Sequence, residues 1–215
     1  MAEQSIYFRQ LELGPMQNFI YLIGDPKTRE AVVVDPGWEV PIILKTLDRD
    51  GYHLTKAIVT HHHFDHVMGL EDLLASADIP VYVHKSDAPH LEIKPSNLQV
   101  LSGGETVQVG NIPMTIIHTP GHTQGSQCIL VDGRLLSGDT LFVRACGRCD
   151  LPDSDPRKLY DSLSNKLRPL DDHTILCPGH NYGPVPTVEL REEKQHNLYL
   201  RTATLEQFLQ LIGYA

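Results

Sequence analysis

Four histidines fall within six residues, at His61, His62, His63 and His66, and Asp65 stands among them. Histidine is the commonest metal ligand, so this clustering points to a metal site rather than to packing. In an extended segment residues i and i+2 point the same way, so His61 and His63 can converge on one ion. Where the chain turns into a helix, Asp65 and His66 can face a second position nearby. His62 alternates away from its neighbours and is left out of the ligand set. Three later segments place a ligand beside a turn-forming residue: Thr119-Pro-Gly-His122, Ser137-Gly-Asp139 and Pro178-Gly-His180. The sum is five histidines and two aspartates, namely His61, His63, Asp65, His66, His122, Asp139 and His180. Imidazole and carboxylate suit zinc, iron and manganese. If Asp139 bridges, the set serves two divalent ions about 3.5–4 Å apart, which is the arrangement of two-metal hydrolysis. Zinc is the first expectation, with iron or manganese as alternatives. His53, His84, His90, His118, His173 and His196 lack this context and read as surface or packing residues.

The elements that must position these residues are legible as short apolar runs. Ser5 to Leu11 and Asn18 to Ile23 read as strands bounded by turn signals. Ala31 to Val34 is a β-branched run typical of a strand buried on both faces, and Ala57 to Val59 is another, ending at the histidine cluster. Val40 to Arg49 has the helical period. Val67 to Ala75 reads as a helix and Val81 to Val83 as a strand. Hairpins are expected around Gly110-Asn111 and Asp132-Gly133. Arg157 to Leu167 is a helix opened by Asp155-Pro156. Ile175 to Cys177 is a last strand, and Thr187 to Leu200 and Thr204 to Ile212 read as terminal helices. Strands come in two batches, before about residue 85 and between 105 and 180, which suggests an α/β architecture with two sheets packed face to face and helices outside, a four-layer αββα sandwich. Residues 1–215 are read as one domain with a short helical segment from about 187.

The composition is that of an ordinary globular chain, with 41% hydrophobic and 21% charged residues. A formal net charge of −9 disfavours a nucleic-acid role. No apolar run approaches the roughly 20 residues of a membrane helix. The first residues lack a signal-peptide pattern, which favours the cytoplasm. Cys128, Cys146, Cys149 and Cys177 do not form a disulfide framework, and the lone Cys146-x-x-Cys149 lacks the second pair that a structural zinc site needs.

With these residues in place, the chain resembles the metallo-β-lactamase superfamily, and within it the glyoxalase II-like hydrolases. The resemblance rests on His61 to His66, Gly121 to Ser126, Ser137 to Phe142 and Pro178 to His180 in that order. It implies that His61, His63 and His122 hold one metal, that Asp65, His66 and His180 hold the second, and that Asp139 bridges. Val34-Asp35-Pro36-Gly37 matches the family's early strand-end motif, with Asp35 orienting a ligand histidine. The Asp139 position argues against a true β-lactamase.

The activity so implied is hydrolysis of a small-molecule thioester such as an S-acylglutathione. A hydroxide bridging the two ions attacks the acyl carbon, one ion meets the developing oxyanion, and the other accepts the thiolate. Asp65 orients the hydroxide and moves its proton. Arg144, Arg148 and Tyr182 are the expected substrate contacts, Arg148 standing where the family places a basic residue after Cys-Gly. Asp150 departs from the family, which carries tyrosine there, and the tail after His180 is short for a glutathione-binding helical domain. One rival is a persulfide dioxygenase with a single iron on His61, His122 and Asp139, a group resembled by Arg144-x-Cys146-Gly147-Arg148-x-Asp150. Against it stand Phe64 and Gly179, where that group tends to carry a small residue and alanine. A lactone or ester hydrolase on the same site is the other. The protein is expected as a monomer or homodimer.

Overall fold

The computed structural model describes residues 6–214. The first sheet runs β1 (Tyr7–Leu13), β2 (Asn18–Gly24), β3 (Glu30–Val34), β4 (His53–Ile58), β5 (Val81–His84) and β6 (Leu98–Leu101), in that spatial order. The β1–β2 and β2–β3 pairs are antiparallel and the remaining three are parallel. Helix α1 (Val40–Asp50) makes the β3–β4 crossover, and α2 (Phe64–Val67) and α3 (Leu70–Ser76) make the next.

The second sheet is built from β7 (Thr106–Val109), β8 (Ile112–His118), β9 (Gln127–Val131) and β10 (Arg134–Gly138). A small hairpin, β11 (Leu141–Phe142) with β12 (Ala145–Cys146), follows, then α4 (Pro156–Asp161) running into π-helical turns at Ser162–Leu167. Strands β13 (Ile175–Pro178) and β14 (Val188–Glu189) complete the sheet, whose order is β14-β13-β10-β9-β8-β7 with only β10–β13 parallel. Helices α5 (Leu190–His196), α6 (Leu198–Arg201) and α7 (Leu205–Leu211) close the chain.

The period-two pattern of the strands sets the layers. In β2, Ile20 and Leu22 face α1 and α3, while Phe19, Tyr21 and Ile23 face the second sheet. In β3, Ala31 and Val33 share the first direction and Val32 and Val34 the second. Across the inter-sheet layer, Met114, Ile116, Ile129 and Leu136 meet them. The outer face of the second sheet buries Cys128, Leu135 and Leu176 against Leu159, Leu163 and Phe208. Each large aliphatic side chain buried here stabilises the fold by about 1.5–3 kcal/mol. The αββα sandwich read from the sequence is the observed architecture.

Several boundaries differ from expectation. Ser5 lies outside the described residues, and β1 extends to Leu13. The helix expected over Val67 to Ala75 is two helices, broken at Met68-Gly69, where a side chain on Gly69 would lie 2.3 Å from the Pro36 carbonyl oxygen. The helix expected over Thr187 to Leu200 begins as a strand and breaks at Asn197, whose side chain accepts from the Tyr199 and Leu200 amides and so starts a new helix. Strand β6 has no counterpart in the pattern of apolar runs.

Candidate metal centre

All seven predicted ligands stand at carboxyl ends of strands, drawn from both sheets. His61 and His63 follow β4, and Asp65 and His66 lie in α2 just beyond. His122 follows β8, Asp139 follows β10 and His180 follows β13. The two sheets are pinned together at this edge. Gln127 donates through its amide N–H to the Thr60 carbonyl (2.9 Å) and through Nε2 to that of Val59 (2.8 Å). The Phe19 N–H donates to the Gly179 carbonyl at 2.8 Å.

The ligand atoms form two triads. In one, Asp65 Oδ2, His66 Nε2 and His180 Nε2 are separated by 3.5, 3.3 and 3.2 Å. In the other, His61, His63 and His122 converge, with His63 Nδ1 2.9 Å from His122 Nε2. Asp139 touches both. Its Oδ1 is 3.4 Å from His66 Nε2, and its Oδ2 is 3.4 Å from His180 Nε2 and 3.5 Å from His122 Nε2.

The outer hydrogen bonds assign tautomers. His66 Nδ1 donates to Asp35 Oδ2 (2.9 Å), His180 Nδ1 to the Met16 carbonyl (2.9 Å) and His122 Nδ1 to the Arg148 carbonyl (2.9 Å). Each therefore aims its Nε2 inward, as the atom that would meet a metal ion. Thr60 donates its hydroxyl to Asp35 Oδ2 (2.6 Å), so its oxygen accepts from His61 Nδ1 (3.2 Å), and His61 Nε2 faces inward as well. Asp35 thus orients one ligand of each triad, and it is held in turn by the Thr60 N–H at 2.7 Å.

Ring nitrogens and carboxylate oxygens this close need positive charge among them, from a proton or from a metal ion. His61 Nε2 and Asp139 Oδ1 are buried without a hydrogen-bond partner. Ligands about 2.0–2.1 Å from a tetrahedral ion are separated by about 3.3–3.4 Å, close to the spacings within the Asp65, His66 and His180 triad and from Asp139 to its neighbours, while His63 and His122 stand closer. The donor set fits divalent metal.

Electrostatics divide the site. Burial, aided by neighbouring imidazoles, holds His61 well below the ordinary histidine range and His63 at about 4. Burial acts downward on His180 too, but hydrogen bonds to Asp139 and Asp65 outweigh it and push the group up to about 10. His66 is raised in the same way, by Asp139 and Asp35 against burial. Burial raises Asp65, yet His180, His66 and Asn18 hold it well below the usual carboxylate range. This half of the site favours positive charge, and a divalent ion supplies it without a proton.

Asn18, Trp38 and Met16 also serve the site, although no spacing pattern near them marks them in the sequence, and Thr60, adjoining the histidine cluster, serves it through Asp35 and His61. Asn18 Nδ2 donates to Asp65 Oδ2 at 2.9 Å, and Trp38 Nε1 donates to Asn18 Oδ1 at 2.8 Å, fixing the amide orientation.

A cleft of about 680 Å³ opens over the triads. Tyr182 lines it, its ring stacked on His180 with centroids 4.5 Å apart. Arg148 lines it as well, with its guanidinium clamped to both oxygens of Asp150 at 2.6 and 2.7 Å. Arg144 is corrected: it does not line the cleft. Its guanidinium pairs with the fully buried Glu193 at 3.3 Å and the Glu192 carbonyl at 2.7 Å, because a buried carboxylate must be neutralised locally. His62, left out of the ligand set, is held by Asp87, whose Oδ2 accepts the His62 N–H at 2.9 Å and stands 3.0 Å from Nδ1. All four cysteines are free. Burial pushes the Cys146 thiol up beyond its ordinary range, so it is not a nucleophile at neutral pH.

Residues 13–180 match the model of the metallo-beta-lactamase superfamily. The chain belongs to that superfamily. Its members bind divalent metals and are generally hydrolytic enzymes. The chain is 32% identical to a probable polyketide biosynthesis zinc-dependent hydrolase, PksB, from Bacillus subtilis, over 90% of this chain and 86% of the relative. It is 38% identical to a hydroxyacylglutathione hydrolase from Alkalilimnicola ehrlichii, over 77% of this chain and 62% of the relative. Among solved structures, ETHE1 from Myxococcus xanthus superposes with a TM-score of 0.87 at 33% identity, covering 96% of this chain and 90% of that one. No helix among the described residues is long and apolar enough to cross a membrane.

Proposed function

We propose that this superfamily member is a binuclear metallohydrolase that cleaves thioesters, with S-acylglutathiones among the substrates to assay. The observation that carries this reading is Asp139, one carboxylate in reach of both triads while each triad is otherwise complete. His61, His63 and His122 would hold one ion, Asp65, His66 and His180 the other, with Asp139 shared. When bound, two divalent ions supply a water acidified to near pH 7 and positive charge for the developing oxyanion. Asp65, fixed by Asn18, orients the attacking water and takes its proton. A thiolate leaves readily, so no strong general acid is needed. The likeness to the hydroxyacylglutathione hydrolase supports a thioester, and the zinc-dependent hydrolase relative supports zinc.

The ETHE1 likeness and Arg148-x-Asp150 favour a second reading, a dioxygenase acting on persulfide with one iron on His61, His122 and Asp139. Gly179 weighs against it. A β-carbon there would stand 2.4 Å from Asp139 Oδ1, so an alanine could not coexist with Asp139 in its place between the triads. An ester or lactone remains a chemically equivalent target of the same water. Metal content measured together with thiol release from S-lactoylglutathione and oxygen uptake with glutathione persulfide separates the readings. Two metals per chain with thiol release is the expected result. One iron per chain with stoichiometric oxygen consumption overturns it.

A further inference from the structure

The cleft walls carry little that would recognise an anionic thiol carrier. Beyond the metal-ligand floor, they are formed chiefly by Met16, Phe64, Phe142, Leu151, Pro152 and Tyr182. Several of these are unusually open for apolar residues, with Phe64 at 56%, Tyr182 at 54% and Met16 at 37% exposure. They are also held in place. Tyr182 is stacked on His180 and packs against Phe142 at 5.7 Å, and Phe64 meets the edge of Trp38 at 6.4 Å. Preformed, exposed aromatic surface around a small number of polar groups is the pattern of a site that covers itself with apolar ligand.

A glutathione thioester presents carboxylates and would need free cations. Arg148 is the one lysine or arginine lining the cleft among the described residues, and Asp150 already pairs with it through Nε and Nη2 along one edge of the guanidinium. The wall adds a further carboxylate, Asp153. Arg144 is withdrawn to Glu193. The net charge of −9 repels an anionic carrier at longer range.

Resting on the thioester-hydrolase reading, we infer that the cleft takes thioesters with an apolar acyl group on an uncharged thiol, and that Asp150 sets this preference by neutralising Arg148. The acyl chain lies along the Met16, Phe142 and Tyr182 wall. Each methylene buried there improves binding about fourfold. The Arg148–Asp150 pair is exposed on both sides, so its removal should redirect Arg148 rather than disturb the fold.

The test uses the zinc-loaded full chain and four thioesters, pairing lactoyl or hexanoyl with glutathione or N-acetylcysteamine. Hexanoyl-N-acetylcysteamine should exceed S-lactoylglutathione in kcat/KM by about tenfold or more. Asp150→Asn should raise the ratio of glutathione to N-acetylcysteamine turnover about tenfold, the effect of one charge-assisted hydrogen bond from Arg148 to a glutathione carboxylate. Tyr182→Ser should reduce the preference for hexanoyl over lactoyl. A wild-type preference of about tenfold for glutathione with both acyl groups, unaltered by Asp150→Asn, overturns the inference. Should none of the thioesters be cleaved, the hydrolase reading itself fails, and calorimetry decides the cleft's character separately. Binding of hexanoate without binding of glutathione upholds the apolar site, and the reverse overturns it.

Discussion

Gly179 and Asp139 are so close that a β-carbon on the glycine would lie 2.4 Å from Asp139 Oδ1 and 3.0 Å from the Gly138 backbone carbon. The backbone is tied as well, with the Gly179 N–H donating to the Gly138 carbonyl at 2.9 Å. Gly179→Ala should therefore push Asp139 out from between the triads while the fold persists. Activity and affinity for the second ion are expected to fall about 10–100-fold, as for other changes that misplace a ligand. Metal analysis after dialysis against a chelator series checks this. Retention of two tightly held ions in Gly179→Ala would show that the contact relaxes without moving Asp139.

Asp139→Ala removes the shared carboxylate outright. Most activity and most metal should be lost, because each triad then lacks its fourth protein contact. Near-full turnover with two metals bound would contradict the binuclear assignment. Circular dichroism alongside separates loss of metal from loss of fold.

Asp35 is a subtler target. Its backbone is in the left-handed region, with φ 53°, where aspartate and asparagine are tolerated better than most residues. Asp35→Asn keeps that conformation but replaces the anionic acceptor of His66 Nδ1 and the Thr60 hydroxyl. Zinc affinity should fall about 10–100-fold at both positions, since Asp35 orients His66 directly and His61 through Thr60. Competition with a fluorescent zinc chelator measures it. A loss confined to one ion would mean that the Thr60 relay carries little.

The pH dependence has a definite sign. His63 is held at about 4 in the folded metal-free chain, against 6.5 for a free imidazole. Between these values the unfolded chain binds a proton that the folded one does not, so this contribution is present above 6.5 and is lost as pH falls toward 4. His180 is raised from 6.5 to about 10, so its contribution is present below 6.5 and is lost as pH rises through about 10. The metal-stripped protein should therefore melt highest near pH 6.5. Loading must displace the His180 proton, so zinc affinity should climb by up to about tenfold per pH unit above that point. Melting curves of stripped and loaded protein across the range test both trends. A loaded-minus-stripped difference that does not grow with pH would argue against His180 as a ligand.

The wall of the cleft depends on the chain's end. Asn197 Nδ2 donates to the carbonyls of Phe142 (3.2 Å) and Ala145 (2.9 Å) and to Glu193 Oε2 (2.7 Å). Asn197→Ala strands buried carbonyls and should cost about 2–3 kcal/mol, or about 5–10 °C in melting temperature. It should also raise KM, since Phe142 and Ala145 line the cleft. A stability loss with unchanged KM would show that the wall holds its shape unaided.

The ligand types and the sandwich were legible because both are written locally. His61, His63, Asp65 and His66 sit within six residues at a strand end, and the continuous apolar run of β3 announces a strand buried on both sides. The hairpin at Asp132-Gly133 was legible for the same reason, its residues having the positive φ of 46° and 70° that such a loop requires. Boundaries failed where a distant contact decides them. Gly69 opens the second helix where the Pro36 carbonyl leaves no room for a side chain, and Asn197 caps a new helix while donating to the Phe142 carbonyl.

The sequence by itself determined which seven side chains converge and that their chemistry is metal chemistry. Only the tertiary structure decided how they are aimed. Met16, Asn18 and the Arg148 carbonyl orient the ligands from far along the chain, through hydrogen bonds that no spacing rule encodes, while Asp35, expected from its strand-end motif, orients His66. It also decided the fate of the arginines. Arg144 and Arg148 look alike in sequence, yet the buried Glu193 withdraws one and the exposed Asp150 clamps the other at the cleft. A charge is read from composition, but whether it is free to meet a ligand depends on which opposite charge the fold brings to it.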